Sequence, residues 1–204
     1  NIGGQTIHSL FQIQPRDFIM PEFLKLKAKT RNVLLATDIL IIDEISMVAP
    51  DLLDAMDLLA RMARRDNSPF GGIQVVAIGD LFQLPPVITR AATEYYRDAY
   101  EHENAYFFDS NVYRRSNFIR FNFDHVYRQN DGALLENLVR LRNRDIGALE
   151  FFNDCKIDDP ERRSNAVLIT PFRDVAERIN TMRLNQINAP EFVYNGVLSG
   201  NFSD

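Results

Sequence analysis

No stretch of the 204 residues approaches the roughly 20 consecutive apolar positions needed to cross a bilayer as a helix, and no basic-then-apolar leader opens the sequence. The expected protein has no membrane partner and works inside a cell, nuclear or mitochondrial if eukaryotic and cytoplasmic if bacterial. Cysteine is nearly missing. Cys155 stands alone, which excludes an internal disulfide and fits a reducing compartment. Lysine is scarce too: Lys25, Lys27, Lys29 and Lys156 are the four among 23 cations, and the rest are arginines, a bias that suits phosphate recognition by planar forks. None of the four follows a glycine in the pattern Gly-x-x-x-x-Gly-Lys-Ser/Thr, so the loop that would cradle a triphosphate is not in this sequence. Positive charge is not in excess. A net charge of −5 argues against a basic coat for non-specific nucleic-acid binding and leaves room for a local basic groove.

What is present is apolar material, 46% of residues, enough for one large or two modest cores. Two runs organise it. Ile39 to Val48 reads Ile-Leu-Ile-Ile-Asp-Glu-Ile-Ser-Met-Val, and Val75 to Val87 reads Val-Val-Ala-Ile-Gly-Asp-Leu-Phe-Gln-Leu-Pro-Pro-Val. Each is an unbroken apolar run that ends abruptly in acid, which predicts a strand buried on both faces with its tip opening into a polar crevice. Ligands of open parallel sheets bind at such tips.

Around these runs the pattern predicts an α/β chain. Thr6 to Phe11 is ambiguous between helix and strand, and Pro21 to Thr30 reads as a short basic helix ahead of a strand at Asp38 to Ile42. Pro50 opens a helix in which Leu52, Leu53, Met56, Leu59, Ala60 and Ala63 recur at helical spacing through Arg65. A turn-rich break, 66–72, leads to a strand at Ile73 to Ile78, so strand, helix and strand form one crossover unit. Ala91 to Tyr113 carries Tyr95, Tyr96, Tyr100, Tyr106, Phe107 and Phe108 on an expected helix pair, as core packing or as a base-stacking surface. The pattern resets near Arg114-Arg115-Ser116, where a boundary separates a domain at 1–115 from the beginning of a second at 116–204. The second domain is expected to hold strands at Phe118 to Phe123 and Val167 to Ile169, helices at Leu134 to Leu141, Ala148 to Phe152 and Val175 to Met182, and a third strand starting near Phe192. The chain starts at Asn1 without an initiator methionine and stops at Asp204, so both ends are expected to be cut from something longer.

The candidate chemistry sits on the strand tips. Asp43 and Glu44 suit a hydrated Mg2+ ion, which takes oxygen ligands and keeps several waters; the plain alternative is a helix cap. Asp80 ends the second strand, so both tips face one crevice, and Gln83 beyond it can donate to a phosphate oxygen and accept from a water at once. Arg128, at the start of the second unit, could reach phosphates across the gap or be an exposed arginine at a helix start. Thr6, His8 and Ser9 offer donors to a sugar-phosphate backbone, though such a triplet is also common in ordinary structure.

Taken together, Thr6-Ile7-His8-Ser9, Asp43-Glu44-Ile45-Ser46-Met47, Pro69-Phe70-Gly71-Gly72-Ile73-Gln74, Gly79-Asp80-Leu81-Phe82-Gln83-Leu84-Pro85-Pro86-Val87 and Val126-Tyr127-Arg128-Gln129 resemble the Pif-type DNA helicases of the RecD-like branch of superfamily one. The resemblance implies RecA-like P-loop NTPase domains, with a parallel sheet flanked by helices and part of a second such domain. It further implies ATP and Mg2+ as cofactors, translocation 5′ to 3′, single-stranded and forked duplex DNA as partners, and a monomer. It assigns Asp43 and Glu44 to the magnesium and water motif, with Glu44 and Arg128 catalytic, Gln83 to γ-phosphate sensing, and Thr6, His8 and Ser9 to the strand. The family's phosphate loop should precede Thr6 and its later motifs should follow Asp204, so the chain resembles an interior fragment inactive by itself. Leu81 stands where a phenylalanine is usual, an exchange of bulky apolar residues expected to matter little. The alternatives are a P-loop ATPase that does not act on DNA and a non-catalytic nucleic-acid-binding module that lost the phosphate loop.

Overall fold

The structure is a computed structural model that describes residues 3–103, 105–127, 131–154, 166–190, 192 and 194. It divides into two compact units, Asn1–Gln129 and Asn130–Asp204.

The first unit is built around helix α3, Pro50–Arg64. Proline at the first helical position has its φ preset and gives up a backbone donor that would have no partner there, and the helix ends where Arg65 turns left-handed at φ 54°. The expected stripe of Leu52, Leu53, Met56, Leu59, Ala60 and Ala63 is buried. So are Asp51 and Asp57, which makes α3 a central helix enclosed on most sides.

Strands β1, Ile39–Ile42, and β2, Gln74–Ala77, pair in parallel with Ile39 opposite Gln74 and Ile42 opposite Ala77. Parallel neighbours need a crossover, and α3 supplies it. Leu40 and Ile42 point into the core, yet Ile39 is 53% exposed and Ile41 60% exposed. The expectation of burial on both faces therefore holds for one face only. Among the described residues the sheet has two strands, and no further layer covers the face that carries Ile39, Ile41, Val76 and Ile78.

Helix α1, Ile7–Phe11, resolves the ambiguous opening: the Thr6 hydroxyl caps it by accepting from the Ser9 N–H at 3.2 Å. The basic helix expected at Pro21 to Thr30 splits into a single 3-10 turn, Pro21–Phe23, and helix α2, Ala28–Leu35, with non-helical chain between them. α2 is held by tertiary bonds. The Thr30 hydroxyl donates to the Leu10 carbonyl, and the Arg64 guanidinium caps the far end by donating to the carbonyls of Leu34 and Thr37.

The aromatic segment forms α4, Thr93–Tyr100, and α5, Asn111–Arg115. Tyr96 and Tyr100 are buried and Tyr95 stacks on Phe18 at 4.4 Å, so these three rings are packing elements. The strand expected at Phe118 to Phe123 does not form; Ile119, Phe121 and Phe123 lie in irregular chain, largely in solvent. Phe118 stacks on Tyr113 at 5.0 Å and the Arg120 guanidinium lies 6.0 Å from the same ring, which packs this segment into the first compact unit, whose bounds run to Gln129.

The second unit contains α6, Gly132–Arg142, α7, Ala148–Asp154, and α8, Arg173–Leu184. The Asp131 side chain caps α6 by accepting from the N–H groups of Ala133 and Leu134. The strand expected at Val167 to Ile169 is absent; those residues are exposed and irregular. The third strand expected from Phe192 lies mostly outside the described residues, as does Cys155.

Candidate active site

Asp43 and Glu44 follow β1 directly, and both are exposed at its tip. Glu44 adopts φ 52° and ψ 44°, a left-handed conformation that side-chain-bearing residues avoid. That kink turns the chain at once into a 3-10 turn, Ile45–Met47. The Glu44 N–H donates back to Asp43 Oδ1 at 3.0 Å. Strain of this kind persists only where the surroundings over-determine it, and it gathers at functional sites.

The second tip is fastened to the first. The Ile78 N–H donates to the Ile42 carbonyl at 2.8 Å, and the Ile45 N–H donates to the Ile78 carbonyl at 2.9 Å. A Cβ on Gly79 would stand 2.8 Å from Ile45 Cγ2 and 3.0 Å from the Ile45 nitrogen, so only glycine allows the two tips this close. Below them the Ser46 hydroxyl is buried with no hydrogen-bond partner among the described residues. Such an orphan in a native core calls for a local explanation, and strain or catalysis is among the recognised ones. After Gly79, Asp80 closes a tight turn: its carbonyl accepts from the Gln83 N–H, its Oδ1 from the Phe82 N–H and its Oδ2 from Gln83 Nε2.

The structure thus gathers Asp43, Glu44, Asp80 and Gln83 on adjoining strand tips. Thr6, His8 and Ser9 sit on the first turn of α1, where the Thr6 hydroxyl accepts from the helix N–H, Ser9 Oγ donates to Gln5 Oε1 at 3.4 Å, and half-buried His8 lends its carbonyl to the helix end. Arg128 lies outside the described residues. No cluster of three or more potential metal ligands occurs among the described residues. Two exposed carboxylates fit magnesium nonetheless, because that ion is commonly held by one or two protein carboxylates with waters and substrate phosphates filling the rest.

Sequence reasoning missed the acids that build the scaffold under this site. Asp51, Asp54 and Asp57 recur every third residue of α3, and each one grips a different segment. Asp51 accepts from the Ile19 N–H at 2.6 Å and from the Tyr96 hydroxyl at 2.7 Å. Asp54 takes the Tyr100 hydroxyl and the N–H groups of Asn111 and Val112. Asp57 takes the Phe70 N–H, Arg61 and Arg115. Burial pushes the Asp51 carboxyl above its ordinary value against the bonds that lower it, and burial beside these carboxylates pushes Tyr96 and Tyr100 upward. A cleft of about 380 Å³ opens beside these acids, lined by Asp51, Asp54, Asp57 and Tyr100 among others. None of the four strand-tip residues lines it, and its carboxylates are engaged in holding the fold. The readable signal was acid at a three-residue period beside an apolar stripe.

The turn Pro69–Gly72 is part of the same scaffold. Phe70, Gly71 and Gly72 are all left-handed, at φ 53°, 62° and 74°. A Cβ on Gly71 would come within 2.7 Å of the Ala60 carbonyl oxygen. This stretch, one of those that carry the resemblance, serves to launch β2 from α3.

The family model described as PIF1-like helicase matches residues 1–136. The ATP-dependent DNA helicase PIF1 of Emericella nidulans is 31% identical over 210 residues, covering 100% of this chain and 27% of that protein. The ATP-dependent DNA helicase RRM3 of Saccharomyces cerevisiae is 37% identical over 145 residues, covering 69% of this chain and 19% of that protein. Among solved structures, a Bacteroides Pif1 helicase in complex with ADP-AlF3 and ssDNA matches with a TM-score of 0.80 at 33% identity, covering 92% of this chain and 45% of that one. The fold is RecA-like, as the resemblance implied. The chain spans about a quarter of the length of the curated relatives it matches.

Proposed function

Because the chain belongs to the PIF1-like helicase family, we propose that the whole protein is an ATP-driven DNA helicase that moves 5′ to 3′ on single-stranded DNA and opens forked duplexes. Residues 1–115 are read as part of its first RecA-like ATPase domain and residues 116–204, Arg128 among them, as the beginning of the second. The fragment by itself is read as inactive, because it carries no phosphate loop.

One observation carries the reading: a strained, exposed Glu44 beside Asp43 is fastened by backbone bonds to a neighbouring tip that bears Gln83. In hydrolysis a water attacks the γ-phosphorus, the bond to the β–γ bridging oxygen breaks, and ADP and phosphate leave. Glu44 orients that water and takes its proton. Asp43, one residue earlier on the tip, would hold magnesium through water. Held there, magnesium would supply positive charge to offset the charge that develops on the phosphates. Gln83 touches the γ-phosphate and the water, Arg128 reaches in from the second domain to stabilise transferred charge, and Thr6, His8 and Ser9 contact the strand.

The test is ATP hydrolysis by the whole protein with and without single-stranded DNA. The expected result is strong stimulation by DNA, abolished by Glu44→Gln and by Arg128→Ala with the fold intact; normal rates in both variants would rule out the site. DNA binding should weaken steeply with salt as counterion release is lost. Flat salt dependence would speak against a phosphate track.

A further inference from the structure

A phosphate-sensing amide works only if the correct end faces the reaction, since its oxygen accepts and its NH2 donates. An exposed glutamine is free to turn about its last torsion, which is broad and roughly two-fold. Gln83 is exposed, yet its loop removes that freedom. Asp80 accepts from Gln83 Nε2 through Oδ2 at 3.3 Å and from the Phe82 N–H through Oδ1 at 3.0 Å. An ionised carboxylate cannot donate, so only the NH2 end of the amide can face it. The Oδ2 contact is also not required to close the turn, which the Gln83 N–H to Asp80 carbonyl bond at 3.0 Å and the Phe82 bond already close. Half-buried Asp80 is itself fixed from behind, because Gly79 lies against the backbone of Ile45 and Ser46.

We propose that Asp80 is a positioning residue for ATP hydrolysis: it holds the Gln83 amide in a single orientation, presenting Oε1 to the attacking water and the second N–H to a γ-phosphate oxygen. The inference rests on Gln83 being the γ-phosphate sensor. Asp80 itself touches neither nucleotide nor water in this scheme.

The experiment measures DNA-stimulated ATP hydrolysis and thermal melting of the whole protein for Asp80→Asn, Gln83→Ala and the double variant. An asparagine keeps an oxygen for the Phe82 N–H, so the turn stays closed, but it offers an NH2 to Gln83 and thereby turns that amide around. Asp80→Ser, long enough for Phe82 and too short for Gln83, serves as a second variant should the asparagine disturb folding. In Asp80→Asn, kcat should fall about tenfold, the effect of one lost hydrogen bond, with KM for ATP and the melting temperature nearly unchanged. The double variant should be no slower than Gln83→Ala alone. Wild-type kcat in both Asp80 variants, or effects that multiply in the double variant, would overturn the proposal. Wild-type turnover in Gln83→Ala would overturn the sensor assignment and this proposal with it, an outcome recognisable because it shows in the Gln83 variant alone.

Discussion

Asp57 Oδ1 accepts the backbone N–H of Phe70 at 2.7 Å, across thirteen residues and from inside the core. The same carboxylate binds Arg61 at 2.9 Å through Oδ2, and Arg115 contacts that oxygen as well. One buried acid on α3 thereby joins the helix, the turn before β2 and the end of α5. Paired and hydrogen-bonded charges of this kind are tolerated inside a protein because every partner is supplied; removing one partner strands the others.

Replacing Asp57 with alanine strands the buried Phe70 N–H and takes the carboxylate from Arg61 and Arg115, whose side chains are partly open to solvent. The expected loss is about 3 kcal/mol, less than that for asparagine, which retains one acceptor. Urea denaturation of the chain measures it. A loss below about 1 kcal/mol would mean that the turn keeps its shape without the clamp.

Gly71 and Gly72 are both left-handed, but their surroundings differ. A Cβ at 71 meets the Ala60 backbone oxygen at 2.7 Å, whereas one at 72 meets the Asp66 side chain at 3.1 Å, which can swing away. Gly71→Ala should cost about 3 kcal/mol and Gly72→Ala about 1 kcal/mol. Equal costs in denaturant titrations would show that backbone crowding is not what selects glycine at 71.

Burial raises the folded-state pKa of Asp51, outweighing the lowering bonds from Tyr96, Ile19 and Leu52. The folded state then holds the proton more firmly than the unfolded chain, so the stability from this group is complete below the ordinary aspartate value of about 3.9 and is lost as pH rises through the raised value. Asp51→Asn should remove that decline. Denaturation midpoints followed upward from about pH 3 check it, and an identical slope in the variant would show that Asp51 is not the group responsible.

Glu44 keeps a left-handed backbone that glycine would adopt at no steric cost. Glu44→Gly should therefore raise stability by about 1 kcal/mol while stopping ATP turnover in the whole protein. Calorimetry and an ATPase assay on the same preparation decide it. A less stable variant would show that the side chain, not the strain, dominates at this position.

Much of this was readable beforehand. Two apolar runs that end in acid located β1, β2 and the Asp43, Glu44, Asp80 and Gln83 tips, and Pro50 with its helical stripe located α3 nearly to the residue. The strands at 118–123 and 167–169 misled because alternating or continuous apolar residues report what a segment could bury, and pairing also needs a neighbouring edge. The outer face of β1 misled for the same reason, since Ile39 and Ile41 are as apolar as their buried neighbours Leu40 and Ile42. The carboxylates at 51, 54 and 57 escaped notice because a buried acid is identified by its partners, and those lie up to 58 residues away in sequence.

Gly79 sets its bare main chain directly against Ile45 and Ser46, between the turn that follows the acid pair and the glutamine loop. Gly79 adds no side chain of its own to that contact, so a displacement on one side has little slack to cross before it is felt on the other. The smallest residue is what keeps the two tips in close contact.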